Sequence, residues 1–399
     1  MWRNLREAQA SRRLYEAAQA DGTPNRFFAE LATALQEGQL DRSRFSIRNT
    51  FRQFVEDGNE MIESFSPRNQ ADGMRLLEAG GAVDTTAFSN ITGQFVYSTV
   101  LEQFQSPTFI AGDLARTVPT EFNGEKIPGV GGLGDATKPI GEGEDYPTAG
   151  VGEEWIETPE TDKHGVIVPV TKEAIFFDRT SLVLDRAGKV AEALAIRKEK
   201  RVLDVALGIT TSYVRNGATA QATYGNTHTE GDFDNLVASN ALVDYTDVET
   251  ALLAFDSITD PNTGEPVLIS VADVVVPSGL LFTAARVFEA TGIEQGTISA
   301  SAPRTIGGNP LVSPAVKRGN SFSITTNQYV ANRTGNQTTW FIGDFKAAFQ
   351  YRENWPVSVV QAPENSHDDF HRDIVSQFKV SERGTPAVIE PRKVVKCTA

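Results

Sequence analysis

Apolar residues fall at helical spacing through the first eighty positions of the chain. After Thr23-Pro24, a helix start with proline in the first turn, Phe27, Phe28, Leu31 and Leu35 share one face, and Gly38 is placed to end the run. A second stripe, Phe51, Phe54, Val55, Met61, Ile62 and Phe65, predicts one helix closed by Ser66-Pro67. Residues 86–105 predict a third, with Phe88, Ile91 and Phe95 inward. HGVIVPVTK (164–172) alternates and is rich in β-branched residues, as a strand should be. A long helix is expected from about Thr180 to Gly208, with Val190, Ala191, Leu194, Val202 and Val205 as its apolar positions. Residues 208–231 read as a polar loop with turn chemistry at Arg215-Asn216-Gly217. From 232 to 363 the pattern is that of an α/β lobe. It has helices at 244–258 and 281–291, a turn at Asp260–Gly264, and a buried strand at 272–280. Further strands are expected around Pro310–Val312, Ser321–Thr325 and Thr339–Ile342. The tail, from HDDFHRDIV through AVIEPRKVV, returns to strand texture and is expected to pair with the strand near Val166–Val170.

One stretch fits none of these periods. From Pro119 to about Gly165 glycine, proline and carboxylates dominate, and by Asp162 the acids face only Lys126 and Lys138. Too few large apolar residues are present for a core of its own. A structureless loop of that size inside a compact domain is unusual, so a two-stranded arm leaving the body is expected. Half of about 45 residues at about 3.3 Å each reaches roughly 70 Å. A compact body of this chain length has a radius of gyration of about 21 Å. Such an arm must lie on neighbouring copies.

The chain has 399 residues, more than one core usually holds, so two or more lobes are expected. It is 40% apolar and 22% charged, enough to bury a real core. The formal net charge of −15 argues against tight nucleic-acid binding, which needs clustered Lys and Arg. Basic residues before Lys126 are all arginine, and in the first 80 positions acids roughly match them. Cys397 is the only cysteine, which excludes an intrachain disulfide and suits a reducing, intracellular site of synthesis. The charged N-terminus is no secretory signal, and no run of about 18 apolar residues predicts a membrane span.

HDDFH (367–371) sets His367 and His371 four apart, as on the zinc-binding face of a helix. The expected glutamate base is replaced by Asp368, one methylene short, and His164 and His228 lie in unrelated textures, so no third ligand is at hand. GVGGLG (129–134) satisfies the dinucleotide pattern formally, but Pro128 precedes it and Asp135–Pro139 cannot start a helix. Asp260, Asn262 and Gly264 echo a calcium loop, but Pro261 and the early glycine break its spacing. No catalytic, cofactor-binding or metal residues are expected, and the chain is not read as an enzyme.

The order of helix, acidic hairpin, strand, long helix, α/β lobe and return strands resembles the major capsid proteins of tailed bacteriophages, with their Hong Kong 97-like fold. FSNITGQFVYSTVLEQFQSPTFI (88–110) is similar to the family's N-terminal arm, and FNGEKIPG (122–129) lies in a stretch similar to its extended loop. TDPNTGEPVLI (259–269) and ADVVVPSGL (272–280) resemble the axial lobe. GDFKAAFQYRENWPVSVVQAPENS (343–366) and FHRDIVSQFKVSERG (370–384) resemble the C-terminal signature. The resemblance covers about 85–399 and implies an α+β fold. Its expected parts are a helical, scaffold-like N-terminal extension (1–84), an N-terminal arm (85–118) and an extended hairpin loop (119–165). A peripheral domain with a long spine helix (166–231), an axial domain (232–365) and peripheral return strands (366–399) follow. It also implies a subunit that self-assembles into pentamers and hexamers of an icosahedral shell around double-stranded DNA. Portal, scaffold or decoration proteins would be further partners, with no membrane and no cofactor. The expected location is the virion, after assembly in the host bacterial cytoplasm. The alternatives are an encapsulin-type compartment shell and, remotely, a zinc-dependent hydrolase.

Overall fold

The structure, a computed structural model, describes residues 5–21, 24–37, 45–55, 58–59, 62, 83–105, 109–128, 140, 145, 155–210, 212–225, 228, 233–260, 264–269, 271, 273–289, 292–295, 305–308, 311, 322–362 and 374–399. HDDFH, GVGGLG, the turn residues 261–263 and most of the predicted arm lie outside them.

In chain order the elements begin with α1 (Leu5–Ala20), α2 (Pro24–Gln36), α3 (Ile47–Phe54), α4 (Val83–Phe104) and α5 (Ala111–Leu114). Strands β1 (Arg116–Pro119), β2 (Lys126–Pro128), β3 (Trp155–Glu157) and β4 (Asp162–Thr171) follow, then α6 (Lys172–Phe176) and the long α7 (Thr180–Ala206). Next come β5 (Ser212–Arg215), β6 (Gln221–Ala222), β7 (Leu236–Val237), α8 (Tyr245–Asp256), β8 (Asp273–Val276) and α9 (Leu281–Glu289). The chain continues through β9 (Gly292–Gln295), β10 (Thr305–Gly308), β11 (Ser323–Thr326), α10 (Gln328–Thr334), β12 (Trp340–Gly343) and α11 (Phe345–Ala348). It ends with β13 (Phe349–Gln361), β14 (Ile374–Val388), a 3-10 turn (Pro391–Lys393) and β15 (Val394–Cys397).

These form two compact units, each drawn from three separated stretches. The first comprises Met1–Ser106, Lys163–Ile196 and Trp355–Arg383. Its core gathers Leu31, Leu35, Ile47 and Phe51 from α2 and α3, Phe88, Ile91, Phe95 and Val100 from α4, and Ala187, Ala191 and Leu194 from α7. Alternate strand residues close it: Val168 and Val170 on β4, Val357 on β13, Phe378 and Val380 on β14. β14 lies between β13 and β4, so the tail does pair with the strand at 166–170 as expected. A Cβ on Gly165 would sit 2.7 Å from the Val380 carbonyl oxygen, so only glycine lets β4 approach β14 this closely.

The single helix predicted for the stripe 51–65 is corrected. α3 ends at Phe54, Val55 is extended, and the Gly58 amide bonds back to the Val55 carbonyl at 3.1 Å. The stripe survives because Phe51, Phe54, Val55 and Ile62 are all buried, although the backbone breaks between them.

The second unit comprises Pro107–Asp162, Arg197–Asn354 and Gly384–Ala399. It holds a five-stranded sheet in the order β11-β8-β12-β15-β7. Alternation splits that sheet between two cores. Val274, Val276, Trp340, Ile342, Val395 and Cys397 face Val248, Ala251 and Phe255 of α8 and Ala284, Val287 and Phe288 of α9. Val275, Phe341 and Val394 belong to the opposite core, with Val202, Leu203 and Ala206 of α7, Val330 of α10 and Tyr224. α8 starts where it does because Asp244 and Asp247 form a reciprocal cap around its first turn.

Three further expectations are revised. Residues 208–231 are not merely a loop, since β5 and β6 pair across Ser212↔Ala222 and Tyr213↔Gln221. The turn chemistry is where it was read, with Asn216 and Gly217 left-handed at φ 52° and 71°. Of the strand expected at 310–312 only Leu311 is described, as a turn residue, and a strand pair joins Thr305–Gly308 to Gly292–Gln295 just before it. Finally, Val394–Cys397 does not continue beside β4. The 3-10 turn at Pro391 redirects the chain, and β15 inserts between β12 and β7. No helix among the described residues is long and apolar enough to cross a membrane.

Candidate functional site: the root of the acidic arm

The acidic stretch returns on itself as predicted, and the second unit shows how it is anchored. β2 and β3 are antiparallel, pairing Lys126↔Glu157, Ile127↔Ile156 and Pro128↔Trp155. Ile156 is the buried residue of this ribbon. β3 then pairs with β5 through Ile156↔Arg215 and Glu157↔Val214. Asn216, at the left-handed turn, exchanges two bonds with Trp155: its amide donates to the Trp155 carbonyl, and its side-chain oxygen accepts from the Trp155 amide, both at 2.9 Å. The β5–β6 hairpin is therefore a bracket for the returning limb.

The outgoing limb is clamped from the other side. β1 runs parallel to β13 from Arg116↔Gln350 to Pro119↔Glu353. Beyond it, the Asn354 amide donates to the carbonyls of Thr120 at 2.9 Å and Phe122 at 3.1 Å. Glu125 accepts from the Arg352 guanidinium at 2.8 Å and from the Thr120 hydroxyl at 3.1 Å. Asn123 accepts from both the amide and the hydroxyl of Thr161. The Glu125 amide donates to the Thr158 hydroxyl, and the Thr158 amide donates back to the Glu125 carbonyl. Gly124 turns the chain with φ 81°. The arm expected at 119–165 is thus shorter than read: 119–125 and 158–162 are fastened to the body, and the ribbon departs at 126–128 and 155–157. Polar side chains at 120, 123, 125, 158 and 161 do the fastening, which apolar periodicity could not register.

The charges at the root follow from this packing. Lys126 pairs with Glu157 at 3.3 Å and lies 5.0 Å from the Trp155 ring centre. Lys138, the other arm lysine, lies outside the described residues. On α7, Lys198 sits 4.1 Å from the Tyr351 ring centre and 3.5 Å from Glu353. Arg201 donates to the Gly384 carbonyl at 2.9 Å. Arg333 of α10 forks onto the Asp204 carboxylate at 2.5 and 2.6 Å, which holds the guanidinium above its usual range. Glu199 is buried at the start of α5, accepting from the amides of Ile110 at 3.0 Å and Ala111 at 2.8 Å; burial nonetheless pushes its carboxyl up.

His228, which the sequence offered no partner, is buried behind the bracket. Its ring stacks on Phe233 at 4.2 Å, and Nε2 lies 3.0 Å from Asn235 Oδ1. Asn235 donates through Nδ2 to the carbonyls of Thr223 and Pro391, so the atom facing His228 is an acceptor and Nε2 carries the proton. Nδ1 faces Gln221 of β6 at 3.2 Å and the Tyr213 hydroxyl of β5 at 3.4 Å. Burial lowers its pKa, opposed by the Asn235 bond and by Asp234. Among the described residues no group of three or more His, Cys, Asp or Glu side chains is placed to hold a metal. The arrangement can brace a ribbon, and it offers no reacting centre.

No curated protein sequence matches the chain. Among solved structures it is similar to the capsid of the cyanophage P-SCSP1u, at 14% identity and TM-score 0.44, covering 73% of this chain and 88% of that one. It is similar to a structure of Gordonia phage Cozz at 13% identity and TM-score 0.40, covering 84% and 95%. A virus-like particle from Pyrococcus furiosus matches at 12% identity and TM-score 0.40, covering 76% and 98%. The assignment itself rests on a family model described as phage capsid protein, which matches residues 155–397. That span exceeds half the chain, from the returning limb of the arm to the last strand: the chain belongs to the phage capsid protein family.

Proposed function

We propose that this chain is the major capsid subunit of a tailed phage head, and that it assembles with copies of itself into pentamers and hexamers of an icosahedral shell around double-stranded DNA. The observation that carries the reading is the doubly clamped root. Asn216 holds the returning limb at Trp155, and Arg352 and Asn354 hold the outgoing limb at Glu125, Thr120 and Phe122, either side of six residues of paired ribbon. The sequence between 128 and 155 has too few large apolar residues for a core of its own. Drawn out as two limbs, 129–154 reach about 43 Å, still long enough to rest on an adjoining subunit. Fixing the root and burying the ribbon between copies makes stability a collective property of the assembly.

Exposed apolar side chains suit the same role. Phe282 at the start of α9 is 84% exposed, and Leu268 in the preceding segment is 95% exposed. In the shell these would meet the equivalent lobes of neighbours. The net charge of −15 would let packaged DNA move along the wall without adhering. The parts are proposed to act as an N-terminal arm (85–118), an extended loop whose ribbon leaves at 126–128 and returns at 155–157, a peripheral domain (166–231 and 366–399) and an axial domain (232–365). Portal, scaffold and decoration proteins would be further partners, the virion the final location and the host cytoplasm the site of assembly.

The test is electron microscopy of the expressed chain beside a variant in which 130–152 are replaced by a short Gly-Ser turn. Shells from the parent and soluble, folded but unassembled protein from the variant are expected. A compact monomer from the parent at assembly concentrations would overturn the reading. Co-purifying protein cargo in place of nuclease-resistant DNA would redirect it to a compartment shell.

A further inference from the structure

α4 is buried over far more of its circumference than a surface helix. Phe88, Ile91, Thr92, Phe95, Val96, Ser98 and Val100 are all buried. At about 100° per residue they cover an arc of about 200°, roughly twice the stripe that packing on one side requires. The second side is covered by the N-terminal segment. Phe45 stacks on Phe95 with ring centres 3.9 Å apart and planes 13° from parallel. Phe51 meets Phe88 edge-on at 5.1 Å. Leu31, Leu35, Ile47, Phe54, Val55 and Ile62 belong to the same core.

A polar latch fixes where this cover sits. Asp178, left-handed at φ 49° between α6 and α7, accepts from the Ser46 hydroxyl with both oxygens at 3.0 and 2.9 Å, and from the Thr180 hydroxyl at 2.8 Å. The Ile47 amide donates to the Thr180 hydroxyl at 2.8 Å. Ser46 also accepts from the Asn49 amide, so one hydroxyl both caps α3 and ties it to the elbow before α7. Just beyond α3, a Cβ at Gly58 would lie 2.5 Å from the Phe51 carbonyl oxygen, so the chain turns back tightly against the helix it has left.

We infer that the segment bearing α2, α3 and Ile62 is a resident strap that completes the core of the first unit in cis, latched at Asp178, and is not a detachable scaffold. A scaffold must leave without exposing the core of what it built. Here departure would bare Phe88 and Phe95, which Phe51 and Phe45 cover. The inference concerns the single chain and holds whether or not shells form.

Its test keeps the full chain. Residues 70–76 are replaced by the recognition sequence of a site-specific protease, the folded protein is cut, and the products are followed by size exclusion, intact mass and thermal melting. The cut N-terminal piece is expected to co-elute with the remainder, with the melting temperature within a few degrees of the uncut protein. Asp178→Ala is expected to speed its release about tenfold, the effect of losing one or two charge-assisted hydrogen bonds. Ser46→Ala serves as the second variant should Asp178→Ala fail to fold. Prompt release of the piece from a remainder that melts unchanged would overturn the strap. Release rates unaltered in both variants would overturn the latch. Release followed by aggregation of the remainder would support an incomplete core.

Discussion

Single side chains decide where polar groups survive inside this protein. His228 is stacked on Phe233, donates from Nε2 to Asn235 and accepts at Nδ1 from the Tyr213 hydroxyl, and burial lowers its pKa from the ordinary 6.5. Between that value and the lowered one, the unfolded chain holds a proton that the native chain does not. Stability therefore falls as pH drops below about 6.5, through the lowered native value. Denaturant midpoints at pH 7.5 and 5.5 should show this loss in the parent and a smaller one in His228→Gln. Equal losses would remove His228 from the acid response. Glu199 has the opposite sense: its raised pKa means that the native chain binds a proton more readily than the unfolded one, so its contribution declines as pH rises. Cys397 is buried, and burial pushes its thiol up to about 12, which keeps it protonated and inert at neutral pH.

At the level of elements, the arm root is a three-part bracket whose parts differ in exposure. Arg352 is enclosed, its side chain 9% exposed beside Glu125. Arg352→Ala should destabilise the second unit by about 2 kcal/mol, read from urea unfolding, because the Glu125 carboxylate loses its charge-assisted partner. Loss of shell formation out of proportion to that change would show that the root positions the arm as well as supporting it. Regular elements were legible in the sequence wherever side-chain period met a core. Proline at the start of α2, the alternation of β4, the continuous apolar run of β8 and the apolar positions of α7 were all readable. The bracket was legible only at Arg215-Asn216-Gly217, where the turn type demands particular residues. Its remaining members are Thr, Asn and Glu side chains whose partners lie from 5 to more than 200 positions away. No local period encodes such pairings. The short β5 and β9 were hidden for a related reason, since strands of four residues show too few alternations to stand out from a polar loop.

For the molecule as a whole, membership of the phage capsid protein family is in keeping with described residues that gather no group of side chains to hold a metal. β15 is a stability test at this scale, because it lies between β12 and β7 with Val394, Val395 and Cys397 fully buried. Val395→Ala should cost about 2 kcal/mol in urea unfolding. Removal of 394–399 should abolish cooperative unfolding of the second unit altogether, and an unchanged transition would contradict the central place of this strand. Both units also draw on the far end of the chain: the first takes Phe378 and Val380, the second Val388 and Val394. Neither can finish folding on the ribosome while those residues are still in the exit tunnel. A nascent chain therefore carries two unfinished cores until its C-terminal strands emerge, and its N-terminal portion alone can complete neither unit.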